Sequence, residues 1–485
     1  MFATLLQKEL KSILLSPKFP ATFAICAGLI ILSVSIGIHE YQVATRQYDT
    51  AAQLVSQELR EQTRWSAVNN RTYRKPDPMQ IFVAGVNNDV GRWSGVSQFD
   101  PVKLRHSAYS DDTIFAVFRF VDFSFIVQVV LSLFAFLFTY DAINGERESG
   151  TLALTFSHPV PRSTYLLAKI AGSWLGLVVP LLIPIAIGAL LVVLFRVPFE
   201  AAHWMKLAGL LGTSLLYFTF FVTLGVFLSS LTRRSNVSFL LCLVAWIFLI
   251  LILPRVGVIV ASQAVPVPTV AEIEGQQDAF SKDRWQQQRD AMEKRFRDRQ
   301  ALTSSMSKEE REKYDNDHMW NWMEQDDAER KKVEKEIDEQ GLKLQEDLRN
   351  RKALQENLAF LLSRVSPASA YQLAAMSIAG TDIALKSRYE DALRAYRTVL
   401  NAFTEKKQKE TGDVGGIRIT MDSEKGMSIT APRESGTLKL DDMPRFAAPA
   451  QASAVPVADL GVLVGSILLA FGGAVAGFLR YDMRS

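Results

Sequence analysis

Cysteine is nearly absent: Cys26 and Cys242 are the only two in 485 residues. Both fall within apolar runs, where a thiol behaves as a small apolar residue, so no disulfide framework reveals the compartment. Histidine is also scarce, and the five (39, 106, 158, 203 and 318) are scattered without zinc-ligand spacing. Asp315, Asp317 and His318 read as a solvated helix face. There is no GxxxxGK[ST] phosphate loop, which excludes nucleotide hydrolysis by that route. HExxH, a GxSxG elbow and a cysteine near a polar histidine are missing too. The chain therefore reads as non-catalytic, with no catalytic, cofactor-binding or metal-ligating residues of its own. Charge of one sign is not in excess either: a net +3 gives no argument for nucleic acid.

Apolar sequence, by contrast, is abundant. Crossing about 30 Å of hydrocarbon takes about 20 helical residues, and six runs reach that length: 18–38, 114–140, 165–195, 205–231, 237–262 and 456–479. The first is too long for a signal-peptide core and lacks a small-x-small cleavage site, so it reads as a retained span. Ahead of it, Phe2, Leu5, Leu6, Leu10, Ile13 and Leu14 recur at helical spacing opposite Gln7, Lys8 and Lys11, which predicts an interfacial helix over 1–17. Pro17 and Pro20 separate that helix from the span. Lysine and arginine are biased towards one set of loops, and the bias predicts both termini, the 141–164 loop and the 480–485 tail in the cytoplasm. The polar blocks 39–113 and 263–455 then lie outside it, Arg119 and Asp122 forming a local ion pair at the outer end of the second span.

The first block opens as a helix, from about Tyr41 to Trp65, and turns irregular near Lys75-Pro-Asp-Pro78. The second carries helices near 272–302 and from Ser307 to about Leu361, paired as an antiparallel hairpin. Ser307 to Glu310 has a capping-box pattern. Another helix follows from about Asp382 to Lys407, then a β-hairpin of Ile417–Met421 with Met427–Thr430. The fold class is thus mainly α: a polytopic six-helix membrane protein with an interfacial helix and two extracytoplasmic domains, the larger rich in helical hairpin with a small β element. Within it, Trp320 and Trp322 lie two apart, about 200° around a helix. They cannot share one face, which makes one of them a candidate outer-domain contact.

The densest polar turn sits between the second and third runs. It comprises Asp141, Gly145, Glu146, Arg147, Glu148, Gly150, Thr151 and Leu152, with Arg162 beyond. Glycines allow a backbone to turn close to a partner surface. Paired carboxylates can accept charge-assisted hydrogen bonds from a basic groove. Apart from Lys169 and Lys206 at their flanks, the third to fifth runs carry no acid, histidine or lysine, whereas ion-coupled carriers keep ionisable groups at mid-membrane. An external energy source is expected instead.

The string Tyr140-Asp-Ala-Ile-Asn-Gly-Glu-Arg-Glu-Ser-Gly-Thr-Leu152, followed by Ser157-His-Pro-Val-Pro-Arg-Ser163 and Leu167-Ala-Lys169, resembles ABC-2 type permeases, the membrane subunits of type V ABC transporters. Ser366-Pro367, Ala379 to Asp382 and Met443 to Phe446 resemble the subgroup with a large insertion between spans 5 and 6. The resemblance implies a permease in the cell inner membrane whose 141–169 segment contacts a separate ABC ATP-binding subunit. That partner would hold ATP and Mg. A second permease chain, identical or a close paralogue, would complete the assembly within the lipid bilayer, with no nucleic acid involved. The phenylalanine-rich second run suits export of an amphipathic or hydrophobic substrate. The alternative is an ATPase-coupled mechanotransmission or scaffold protein that acts through its outer domain.

Overall fold

The computed structural model of this chain describes all residues except 66–67, 97–101, 103, 107–120, 412–417, 423–425, 431–437, 439, 441, 450–454 and 481–485. It divides into two compact units, Met1–Ile252 with Arg364–Ser485, and Leu253–Ser363. Mainly α architecture is observed, and among the described residues six helices are long and apolar enough to cross a membrane. They are span 1 (Lys18–Glu61), span 2 (Phe123–Glu148), span 3 (Arg162–Leu194), span 4 (Ala201–Leu231), span 5 (Ser235–Ala264) and span 6 (Val457–Leu479).

Helix α1 (Phe2–Leu14) stops short of Pro17, which caps span 1. Span 1 differs from expectation in length. It continues unbroken to Glu61, so the helix expected from Tyr41 is the same rod carried past the hydrocarbon. Arg119 lies outside the described residues. Asp122 caps the start of span 2, accepting from the Phe125 amide at 2.8 Å, the Ser124 hydroxyl at 2.9 Å and the Ala84 amide at 2.9 Å.

The core of the first unit centres on span 4, which packs against spans 2 and 6. Span 2 contains a π turn, Ile126–Leu131, which disturbs the regular backbone ladder. Side chains meet the Gln128 carbonyl there, the Tyr217 hydroxyl donating at 2.9 Å and Ser132 at 2.6 Å. Span 5 repeats the device: in its π turn, Phe248–Ile252, the Leu249 carbonyl accepts from the Ser366 hydroxyl at 2.6 Å.

Ser366 opens a 13-residue helix, Pro367–Ala379, too short to span a bilayer. Its Ala368, Ala370, Tyr371, Ala374, Ala375 and Ala379 are fully buried, and Tyr371 stacks on Tyr217 at 4.6 Å. This segment was expected in the outer block. Its small side chains instead let it pack against span 4. Arg364 pairs with Asp459 at the head of span 6 at 2.8 Å.

A smaller lobe of the same unit joins strands β1 (Asn70–Tyr73) and β2 (Trp93–Val96), an antiparallel pair that no alternation signal announced, to the helix Ala384–Thr411. Asn70 donates to the Tyr396 hydroxyl at 2.7 Å, and Val96, Leu393 and Leu400 share a buried cluster. The expected β-hairpin is present as β3 (Arg418–Asp422) paired antiparallel with β4 (Gly426–Thr430).

The second unit contains the anticipated helical hairpin, Val270–Thr303 with Lys308–Ser363. Both helices open on capping boxes, at Thr269 with Glu272 and Ser307 with Glu310. Buried apolar residues between them are few, Ile273 and Val333 among them. Charge pairs supplement these: Arg295 reaches Glu329 at 2.6 Å and Asp326 at 3.0 Å, and Arg284 meets Glu336. The 263–455 block is therefore split, with 364–455 belonging to the unit that holds most of the spans.

Candidate coupling site

The polar turn at the end of span 2 folds as an elbow of two short helices, Asn144–Glu148, which closes the span, and Thr151–Phe156. Gly150 makes the bend at φ +75°, a left-handed conformation that side chains other than glycine disfavour. The first short helix rests on the spans. Ser229 accepts from the Ile143 and Asn144 amides at 3.0 and 3.3 Å, and Asn144 donates to Thr232 at 2.9 Å. In the second, Leu152 is buried with Tyr165 and Phe478, whereas Leu154 is 70% exposed.

Of the two carboxylates expected to face a partner, Glu146 turns inward and Glu148 stays exposed. Glu146 accepts from Lys8 at 2.6 Å, the Tyr165 hydroxyl at 2.6 Å and Lys169 at 2.9 Å. Lys169 also pairs with Glu9 at 2.5 Å. The side chains of Lys169, Glu9 and Glu146 are only 5%, 10% and 13% exposed, against 45% for Lys8. Two cations thus balance two anions in a largely dry site. Burial pushes the Glu9 carboxyl up from its ordinary value, with Lys169 opposing. Glu148 fastens to the start of span 5, accepting from the Ser235 amide at 2.9 Å and its hydroxyl at 2.7 Å.

Glycine permits this clamp. A Cβ on Gly172 of span 3 would lie 2.5 Å from the Glu9 Cβ, and one on Gly176 would lie 3.3 Å from Ile13. Helix α1 therefore docks along span 3 through Glu9 and Ile13, leaving Phe2, Leu14 and Leu15 exposed.

The remaining predicted residues are distributed around the elbow. Asp141 is 3.5 Å from Lys18, which also donates to the Tyr140 hydroxyl at 2.9 Å. Gly145 backs onto Asp141, Arg147 is half-buried, and Thr151 donates to the Glu146 carbonyl at 3.2 Å. Arg162 reaches away from the turn, donating to the Leu479 carbonyl at 2.7 Å and so capping span 6. In the second unit, the side chain of Trp320 lies outside the described residues. Trp322 is half-buried beneath Arg299 at 4.4 Å and beside His318 at 5.9 Å.

Glu9, Tyr165 and Leu154 were not anticipated as parts of this site. Glu9 had a usable signal: with Leu5 and Ile13 it falls at i, i+4 spacing, an acid within an apolar stripe. Among the described residues no cluster of three histidine, cysteine, aspartate or glutamate side chains could hold a metal.

Six membrane-length helices among the described residues, with a buried ionic clamp that ties α1 and span 3 to the elbow, define a mainly α, polytopic membrane protein. The chain belongs to the ABC-2 family transporter protein family, which matches residues 3–483. It is similar to the "Probable ABC transporter permease protein NosY" of Pseudomonas aeruginosa, with 34% identity over 137 residues, 28% of this chain and 50% of that protein. The chain thus spans about half the length of that relative.

Proposed function

We propose that this chain is the permease subunit of an ATP-driven ABC transporter, energised by a separate ATP-binding subunit that docks on the Thr151–Phe156 helix. Family membership supports the class. The observation that carries the coupling is the division of labour within the elbow. Its carboxylates hold it to α1, span 3 and span 5, while Leu154 on its second helix stands 70% exposed. A partner would grip the leucine, and closure of the ATP-binding subunits would move the clamped elements together. ATP binding would then bias a two-state membrane element. A second permease chain completes the transporter, which sits in the cell inner membrane with both termini cytoplasmic. Its cargo is amphipathic or hydrophobic and is exported.

A second reading, mechanotransmission without cargo, draws support from the compact, charge-paired hairpin of Leu253–Ser363. A measured ATP-dependent substrate flux would exclude it.

The docking reading is tested with Leu154→Asp in the chain co-expressed with its ATP-binding subunit. Burying a leucine contributes about 1.5–3 kcal/mol, so co-purification should fall about ten-fold or more while the permease unfolds as before. Unchanged association would refute the assignment.

A further inference from the structure

A second built site lies in the same unit, near the end of span 1 remote from α1. It is a cavity of about 760 Å3, within the range of about 300–1,000 Å3 that accepts small ligands. One wall is a single helical stripe of span 1 that includes Glu40, Ala44, Gln47 and Tyr48. The other is built around β1 and β2 and contributes Arg74, Arg92 and Trp93.

Both guanidinium groups are held by neutral acceptors. Arg74 donates to the Asn87 side chain and, at 2.7 Å, to the Asn87 carbonyl, while its Nε is buried without a partner. Arg92 donates to Gln47 at 2.9 Å. Among the described residues no carboxylate pairs with either. Burial pulls the Arg74 guanidinium below its ordinary value, and the Arg92 charge adds to that effect. Two cations thus line one cavity without a carboxylate paired to either among the described residues. Trp93 stacks flat on His106 at 5.6 Å, which forms an aromatic shelf. Glu40 is the acidic residue of the lining.

The position of the cavity narrows the choice of ligand. Span 1 begins at Lys18, and about 20 residues of helix at about 1.5 Å each carry it across the hydrocarbon. It therefore reaches the head-group layer near Gly37 and His39, which themselves line the cavity. A free phosphate would leave most of the volume empty and would face Glu40 with no cation for it.

We propose that this cavity binds the phosphoryl-amine head group of a membrane lipid, the phosphate on Arg74 and Arg92 and the ammonium on Glu40.

The test uses the full chain, delipidated in detergent without its ATP-binding partner, so failure here leaves the coupling reading standing. The probes are short-chain phosphatidylethanolamine, phosphatidylglycerol of the same chain length, and inorganic phosphate, measured by calorimetry. Phosphatidylethanolamine should bind at least about ten-fold tighter than the other two. Arg92→Gln should weaken it about ten-fold or more, the range of a charge-assisted contact, with thermal unfolding unchanged. Arg92 is chosen because Arg74 also anchors the Asn87 turn. Glu40→Gln should abolish the preference for the amine while phosphatidylglycerol still binds. Equal binding of the two lipids, inorganic phosphate binding as tightly as the lipid, or an unaffected Arg92→Gln chain would each overturn the proposal.

Discussion

Replacing Lys169 with methionine keeps the length and apolar stem of the side chain and removes the charge that bridges two buried carboxylates. Glu9 and Glu146 would then share one cation, Lys8, whose side chain is 45% exposed. Removing one partner of a buried ion pair costs about 3–5 kcal/mol because the remaining charge stays desolvated. Exposed pairs contribute about 0–1 kcal/mol. With Lys169 only 5% exposed, Lys169→Met belongs to the first class and Lys8→Ala to the second. The expected losses are about 3–5 kcal/mol for Lys169→Met and less than about 1 kcal/mol for Lys8→Ala.

The sign of the pH dependence follows from Glu9. Its folded value lies above the ordinary 4.5, so ionisation opposes folding. The relative stability is present at low pH and is lost as pH rises from the unfolded value through the folded one. Without Lys169 that opposition grows, so Glu9→Gln should restore part of the stability of the Lys169→Met chain near neutrality. Detergent-denaturant titration followed by tryptophan fluorescence measures all four chains. Equal losses from Lys8→Ala and Lys169→Met, or a Lys169→Met loss below about 1 kcal/mol, would refute the buried clamp.

The docking of α1 is tested with Gly172→Val, whose Cβ would meet Glu9 at 2.5 Å; amide exchange over Phe2–Leu14 should quicken, and unchanged exchange would show that the helix does not rest there. Orientation is read from single cysteines at Gln53 and Ser157, against two native cysteines that are buried. An impermeant thiol reagent applied from outside the inner membrane should label Gln53→Cys and spare Ser157→Cys, and the reverse would invert the topology. In the helical hairpin, the Ser307 amide and hydroxyl hold the Glu310 carboxyl below its ordinary 4.5. That contribution is present above the unfolded value and lost as pH falls through the lower folded value. Exchange protection at the start of Lys308–Ser363, corrected for intrinsic rate, should therefore weaken in acid, and Glu310→Gln should flatten the dependence.

Local rules made much of the chain readable. Hydrophobic length alone gives the six membrane-length helices, since each must satisfy its backbone internally and needs about 20 apolar residues. Pro17 separates α1 from span 1, Ser307 and Glu310 open a helix, and β3 pairs with β4, all through contacts made within a few residues. The polar turn at 141–152 stood out as a candidate because charge between two spans is conspicuous.

Its wiring was not readable, because it depends on residues far apart in sequence: Glu146 meets Lys8 across 138 positions and Glu148 meets Ser235 across 87. The same carboxylates that suit a basic partner groove also suit a buried lysine, and only packing decides which cation arrives. Pro367–Ala379 fell within the expected outer block because it lies inside the polar stretch 263–455. Its burial followed from small side chains meeting span 4, a fact of surface shape that hydropathy does not carry. What the sequence determined by itself was which segments leave water and where helices start and stop, since those terms are summed along the chain. The tertiary structure decided which charges face each other and that Leu154 faces out, since those terms exist only once the helices pack.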